Sequence, residues 1–124
     1  PKDLDGKVGA WAYSESVLID GDLVICTPGG EKATLAALNK LTGDVVWKSA
    51  VPGGDVADYA SIMTVEAGKQ KQYVQFMRKG VVGVDTKTGK YQWRYDRTVD
   101  PGANILTPVV LGNRVFTSGS RTGA

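Results

Sequence analysis

The sequence predicts an all-β protein built from a repeated unit of four short antiparallel strands, and three observations support this prediction. The segment TGDVVW at residues 42–47 returns 46 residues later as TGKYQW at residues 88–93. Short apolar runs typical of strands begin each unit, with SVLI at 16–19, SIMTV at 61–65 and TPVVL at 107–111. The 16 glycines favour a fold rich in turns. A period of roughly 40–50 residues with four strands per unit is typical of the blades of a β-propeller.

The first two strands of a unit are predicted from a hairpin pattern. VLIDGDLVI at 17–25 and VVLGNRVF at 109–116 each hold a turn in which Gly lies next to Asp or Asn, between apolar β-formers. In the middle unit the turn lengthens to EAGKQKQ at 66–72 before the chain resumes as YVQFM at 73–77. We therefore expect two paired strands at the start of each unit.

The third strand is predicted by comparing two copies of the same segment. EKATLAALNK at 31–40 has some helical potential, but its copy KGVVGVDTK at 79–87 has the composition of a strand. Because the two segments occupy the same place in the repeat, we interpret both as strands.

The Thr-Gly turn leads into the fourth strand. Asn39 or Asp85 ends the third strand and can bond the backbone of the turn. Gly can take the positive φ that such turns need, and the Trp can fill the gap between adjacent sheets. The alternative to a repeated blade is that the two Thr-Gly segments belong to unrelated hairpins in a sandwich or an open sheet. The predicted docking motif consists of Asn39, Thr42, Gly43, Trp47, Asp85, Thr88, Gly89 and Trp93.

The composition excludes several kinds of site. The 124 residues carry a formal net charge of +2, and the scattered basic residues argue against a nucleic-acid partner. The absence of histidine excludes a Ser-His-Asp triad and any His-containing zinc site made by this chain alone. Cys26 lies in the apolar run LVICT, which indicates a buried side chain rather than a nucleophile. No apolar run is long enough for membrane insertion, and PKDLDGKVGA at 1–10 lacks the pattern of a signal peptide.

ALNKLTGDVVW and GVDTKTGKYQW resemble the tryptophan-docking motif A-x-D-x-x-T-G-x-x-x-W of PQQ-like propellers, the fold of the quinoprotein alcohol dehydrogenases. The resemblance runs from Trp11 onward. Val17 and Ile62 stand where the family usually has Pro, whereas Pro108 keeps it. Asn39 and Gly83 replace the usual Asp and Ala of the motif.

The resemblance implies that residues 1–124 form a partial PQQ-like propeller domain of about two and a half blades. The expected blade units are approximately 11–57, 58–103 and an incomplete 104–124. Because roughly seven or eight blades close a ring of this kind, we expect a fragment of a larger protein. It would associate with copies of itself, with the remaining blades or with a protein partner. The resemblance also implies a periplasmic or extracellular location.

In the family the first strand of each blade lines the central channel, and ligands bind at one mouth. Glu15 can bind a metal or a sugar hydroxyl there, or it can be a solvated side chain. Asn104 can be an oxygen ligand or a turn residue, and the aromatic rings can stack on a quinone or a sugar or pack in the core. We predict no metal site; Asp55 and Asp58 alone make a weak cation pattern. The predicted channel-mouth residues are Trp11, Tyr13, Glu15, Ser61, Asn104 and Thr107.

Two functions follow from the resemblance. The first is a non-catalytic binding or scaffold domain in an exported bacterial protein. The alternative is part of an alcohol or sugar dehydrogenase that depends on PQQ and calcium. No cofactor is predicted for this chain, although PQQ and calcium are possible in the parent protein. A sensor domain attached to another module is a third hypothesis.

Overall fold

A computed structural model describes residues 2–124 and contains ten strands in three antiparallel sheets within that range. A short 3-10 helix, Lys2–Leu4, precedes them. The first sheet consists, in spatial order, of β1 (Leu18–Asp20), β2 (Leu23–Cys26), β3 (Leu35–Asn39) and β4 (Val45–Ser49). The second sheet consists of β5 (Met63–Ala67), β6 (Gln70–Met77), β7 (Gly80–Asp85) and β8 (Tyr91–Tyr95). The third sheet pairs β9 (Val109–Leu111) with β10 (Arg114–Phe116).

The predicted all-β class and the four-stranded antiparallel sheets of a partial propeller are confirmed. The segment EKATLAALNK contains β3 and its copy contains β7, so the strand prediction taken from the repeat is correct and no helix forms there. The register confirms that the units correspond, because β3 and β7 both shift by one residue against the strand that follows. The exact boundaries of the blade units stay a prediction.

The two Thr-Gly turns have the same backbone geometry. The Asn39 side-chain oxygen accepts hydrogen bonds from the backbone N–H groups of Leu41 (2.9 Å) and Thr42 (3.1 Å). The Asp85 carboxylate accepts the corresponding bond from the Thr88 N–H at 2.9 Å. Each turn needs a residue with positive φ after the Thr, which is the reason for Gly there.

The sheets pack face to face through two apolar clusters. Between the first and second sheets, Trp47 lies 6.1 Å from Tyr73, measured between ring centroids, and its side chain is 8% exposed. A Cβ on Gly89 would overlap the Trp47 ring, so the tryptophan of one sheet rests on the Thr-Gly turn of the next. The buried members of this first cluster are Ile25, Leu35, Ala37, Trp47, Val51, Ile62, Tyr73, Met77, Val82 and Val84. The second cluster joins the second and third sheets through Ala60, Val65, Val74, Phe76 and Val81, with Trp93, Val99, Val110 and Val115 packed against it.

The indole N–H groups of the two docking tryptophans differ in their partners. Trp93 Nε1 donates to the Gln72 side-chain oxygen at 2.8 Å. Trp47 Nε1 is buried with no hydrogen-bond partner among the residues that the structure describes. The register explains the difference, because Leu23 pairs with Asn39 as Gln72 pairs with Asp85 and brings no acceptor.

Because neighbouring strands are antiparallel, the loops and turns that join them lie alternately at the two ends of each sheet. We call one end the mouth end; it holds the segments that lead into the first strand of each sheet, residues 11–17, 58–62 and 104–108. The opposite end, the turn end, holds the turns after those first strands and the two Thr-Gly turns. Within residues 2–124, no helix is long and apolar enough to cross a membrane.

Candidate functional site

All six predicted channel-mouth residues lie in the segments of the mouth end, but the structure does not gather them into one cluster. Tyr13 and Glu15 line one cavity. Ser61 and Thr107 take part in a series of hydrogen bonds between the three sheets. Asn104 is buried, whereas Trp11 is exposed. A ligand-binding role for these residues stays a prediction.

The hydroxyl groups of Ser61 and Thr107 connect equivalent positions of successive units. The backbone N–H of Ser16 donates to the Ser61 hydroxyl at 2.9 Å, and the N–H of Ser61 donates to the Thr107 hydroxyl at 3.0 Å. The residues are 45 and 46 positions apart, which is the period of the repeat. These bonds fix the first strand of each sheet relative to the next.

The Glu15 carboxylate is held by donors from two sheets. It accepts hydrogen bonds from the Thr27 backbone N–H (2.6 Å), the Thr27 hydroxyl (2.5 Å) and the Gln75 side-chain amide (3.2 Å). Gln75 is fully buried and also donates to the Ala60 carbonyl at 2.9 Å. Burial raises the pKa of Glu15 above its ordinary value, and the hydrogen bonds from Thr27 act in the opposite direction. Glu15 therefore links the first sheet to the second.

A cavity of about 260 Å³ lies beside Glu15 and is largely apolar. Its lining consists of Leu4, Tyr13, Glu15, Val17, Cys26, Thr27 and Pro28. The Tyr13 hydroxyl donates to the Pro28 carbonyl at 2.8 Å. Burial, with a smaller effect of the Glu15 charge, raises the pKa of the Cys26 thiol to about 11. The thiol is therefore protonated at neutral pH and is a poor nucleophile.

Asn104 ties together the loops between the second and third sheets. Its backbone N–H donates to the Asp58 carboxylate at 2.8 Å, and its side-chain amide donates to the Met77 carbonyl at 3.0 Å. Its side-chain oxygen accepts from the Asp100 backbone N–H at 2.8 Å. Asp58 also lies 2.9 Å from the Arg78 guanidinium. These contacts satisfy the donors and the acceptor of the Asn104 side chain within the protein.

Asp55, the other acid of the weak cation pattern, has a different set of partners. Its carboxylate lies 2.9 Å from the Arg94 guanidinium and accepts from the Lys79 backbone N–H at 3.0 Å. Burial raises the pKa of Asp55, and the hydrogen bond from the Lys79 N–H opposes this effect. Asp55 and Asp58 thus each neutralise a different arginine.

Several large apolar side chains at the mouth end stay exposed. Trp11 is 71% exposed, and its ring lies 5.8 Å from that of Tyr59. The Tyr59 backbone N–H donates to the Asn104 carbonyl at 3.2 Å, which places Tyr59 beside the segment that continues with Ile105 and Leu106. The last two are 65% and 56% exposed. We call Trp11, Tyr59, Ile105 and Leu106 the mouth patch.

Sequence reasoning missed the partners of Glu15 and part of the mouth patch. Gln75 was detectable as a polar residue inside the apolar run YVQFM. Ile105 and Leu106 were detectable as adjacent large apolar residues after Pro-Gly. No comparable signal indicated Thr27.

The residues at the mouth end do not fit a calcium-bound quinone. Three of the possible hydrogen-bonding positions on the Glu15 carboxylate are taken by Thr27 and Gln75. Across residues 2–124, no group of three or more Cys, Asp or Glu side chains comes together in a way that could hold a metal ion. Calcium needs six to eight oxygen ligands, and the described acidic side chains do not gather to supply them.

Comparison with known proteins agrees with the repeated architecture. A search of curated protein sequences gives no significant match. A family model described as outer membrane protein assembly factor BamB matches residues 3–124. Because this match spans nearly the whole chain, the protein belongs to the PQQ-like repeat family that this model describes.

Proposed function

We propose that the chain is a non-catalytic binding segment of a PQQ-like β-propeller, and that it binds a protein partner through the mouth patch. The observation that carries this proposal is that polar and apolar side chains at the mouth end have different environments. Polar side chains such as Glu15 and Asn104 are occupied in holding the sheets together. Large apolar side chains beside them remain in contact with solvent.

The chemistry of the mouth patch supports a protein partner. Contiguous apolar surface on a folded protein is characteristic of interaction sites. Tryptophan and tyrosine are enriched among the residues that contribute most to protein interfaces. The Trp11 and Tyr59 rings lie 5.8 Å apart and are tilted by 50°, which is a favourable geometry for a pair of aromatic rings. Ile105 and Leu106 follow Asn104, whose carbonyl bonds to Tyr59, and add exposed apolar side chains that lose little conformational entropy on binding.

The family description supports the same function. The name of the matching family model refers to the assembly of outer membrane proteins, a role that involves other proteins. We therefore propose a periplasmic or extracellular location and an exported parent protein. The location is independent of the mouth patch and can be tested separately by fractionation of the host cell.

Site-specific photo-crosslinking tests the binding proposal. A photoreactive amino acid replaces Ile105 in the chain expressed in its natural host, and a control carries it at Leu41, which is 85% exposed at the turn end. We expect one defined protein to crosslink from position 105 and not from position 41. Trp11→Ala or Leu106→Ser should then reduce the crosslinked product at least about tenfold while the circular dichroism spectrum stays unchanged.

Two results would contradict the proposal. Equal crosslinking from both positions would show that the mouth patch has no special affinity. Robust reduction of a dye by an alcohol, dependent on added PQQ and calcium and abolished by Glu15→Gln, would show that the chain takes part in catalysis.

A further inference from the structure

A tight turn beside the mouth patch carries two positively charged side chains. Arg78 and Lys79 lie between β6 and β7, at the mouth end of the second sheet. The Arg78 guanidinium donates to the Gly102 carbonyl at 2.7 Å and lies 2.9 Å from the Asp58 carboxylate. Asp58 directly precedes Tyr59 of the mouth patch, and Gly102 lies three positions before its isoleucine. The turn therefore adjoins both of the segments that supply Tyr59 and the two aliphatic residues of the patch.

The contact between Arg78 and Asp58 leaves donors of the guanidinium unused. Arg78 Nη2 lies 2.9 Å from Asp58 Oδ1, yet this oxygen accepts no hydrogen bond within residues 2–124, so the N–H groups are not aligned with it. The Asp58 side chain is fully buried, whereas that of Arg78 is 32% exposed. A guanidinium has five N–H donors in a planar fork that matches a carboxylate. Asp58 thus fixes Arg78 from the buried side and leaves it able to bind a second carboxylate at the surface.

Lys79 adds a positive charge that no carboxylate of the described chain pairs with. Its ammonium donates to the carbonyls of Gly53 and Gly54 at 2.8 and 3.1 Å, and it makes no ion pair with a described residue. Asp55, which accepts a hydrogen bond from the Lys79 backbone N–H, forms its ion pair with Arg94. The turn therefore places an excess positive charge beside an apolar surface, which favours an anionic group on the partner.

This charged turn is not a requirement of the repeat. In the first unit, β2 and β3 are joined by residues 27–34, where Gly29 and Gly30 fit closely against Ala57 and Asp5. The second unit instead has a short connection that presents its charges to solvent. The second sheet packs against a described sheet on each face, so Lys79 is exposed although both faces of its sheet are covered.

We propose that the partner bound at the mouth patch is an acidic protein surface, with Asp or Glu carboxylates beside its apolar residues, and that Arg78 and Lys79 bind these carboxylates. Arg78 holds one carboxylate through its N–H fork, and Lys79 adds a charge that steers the approach of the partner. This proposal rests on the proposed function, to which it adds the chemistry of the partner. A purely apolar partner would remove water from both cations without replacing it, so the turn selects against such a partner.

A zero-length crosslinker tests the contact directly. Carbodiimide joins a lysine ammonium to a carboxylate that touches it, forming an amide with loss of water. The reagent is applied to the full chain together with the protein that crosslinks from position 105, and mass spectrometry identifies the linked peptides. We expect an amide between Lys79 and an Asp or Glu of that protein. We expect none from Lys87, which is also exposed and makes no ion pair with a described residue but lies at the turn end.

The affinity of the purified pair, measured at low and at high salt, gives a second test. Lys79→Gln should weaken binding about two- to fivefold, and Arg78→Gln at least about tenfold, whereas Lys87→Gln should leave the affinity unchanged. Added salt should weaken binding of the unaltered chain more than that of the Lys79→Gln variant. Because Arg78→Gln leaves the buried Asp58 carboxylate unpaired, Lys79→Gln decides the matter if the arginine variant fails to fold.

The outcomes separate the two proposals. Amides from Lys87 as abundant as those from Lys79, or equal affinity of the Lys79→Gln and Lys87→Gln variants, would overturn the acidic partner and leave the mouth-patch proposal standing. The absence of any defined protein crosslinked from position 105 would overturn both.

Discussion

Replacing the glycine of each Thr-Gly turn by alanine separates the backbone strain of the turn from the docking of the tryptophan. Gly43 and Gly89 have φ values of +78° and +69°, so alanine is strained at both positions. Their N–H groups make the same bond to the carbonyl of the preceding Asx residue, at 2.8 and 2.9 Å. They differ in one respect: a Cβ on Gly43 meets nothing within 4 Å, whereas a Cβ on Gly89 overlaps the Trp47 ring.

The structure gives the expected magnitudes. A left-handed conformation costs an alanine about 1–2 kcal/mol relative to glycine. Forcing an extra carbon into a packed interface costs about 1–3 kcal/mol more. Gly43→Ala should therefore lower the free energy of unfolding by about 1–2 kcal/mol, and Gly89→Ala by about 2–5 kcal/mol. The difference between the two variants measures the close approach of the turn to Trp47.

Equilibrium unfolding in urea, followed by tryptophan fluorescence and by circular dichroism, measures both losses. Coincidence of the two signals shows that the sheets unfold together and that the free energies are meaningful. In a chain that carries Trp47→Leu, Gly89→Ala should cost less than it does with Trp47 present, because the smaller side chain leaves room for the new methyl group. Equal losses for Gly43→Ala and Gly89→Ala would refute the reasoning, since they would mean that the Trp47 ring does not constrain the turn.

The remaining predictions concern polar contacts. Leu23→Gln gives Trp47 Nε1 an acceptor and should raise the free energy of unfolding by about 0.5–1.5 kcal/mol; a lower melting temperature would contradict this. Hydrogen bonding to Lys71 lowers the pKa of Asp20. The ionised Asp20 therefore stabilises the folded chain above the pKa that Asp20 has in the unfolded chain, and this stabilisation is lost as pH falls through its pKa in the folded chain. Asp20→Asn should therefore cost about 0.5 kcal/mol at pH 7, a value reduced for solvent exposure, and nothing in strong acid; urea titrations with the same loss at both pH values would disprove it. Asn104→Ala should cost about 2–3 kcal/mol because buried partners lose their bonds; an unchanged thermal midpoint would count against this.

The fold was predictable because the sequence contains the same element twice. The segment at 31–40 is ambiguous by itself, since its Ala and Leu residues suit a helix. Its copy at 79–87 is rich in Val and Gly, which suit a strand and a turn. Because the two segments occupy the same structural position, the clearer one decides the prediction for both. The structure has strands in both segments, β3 and β7.

The environment of the mouth-end residues was less predictable, because it depends on how one sheet is placed against the next. Glu15 contacts Thr27 and Gln75, which lie 12 and 60 residues away. Alternation within a strand shows which face a side chain occupies, but it does not give the offset between two stacked sheets. That offset arises from the fit of many apolar side chains, including Trp47 against the turn at Gly89. The sequence therefore indicated Glu15 as distinctive without indicating its partners.

Equivalent positions of successive units differ in burial. Tyr59 and Ala60 correspond to Ile105 and Leu106 one period later, yet Ala60 is buried and Leu106 is 56% exposed. Ala60 packs in the apolar cluster between the second and third sheets. The period of the repeat therefore predicts which positions correspond, but the burial of each one also depends on what packs against its own sheet.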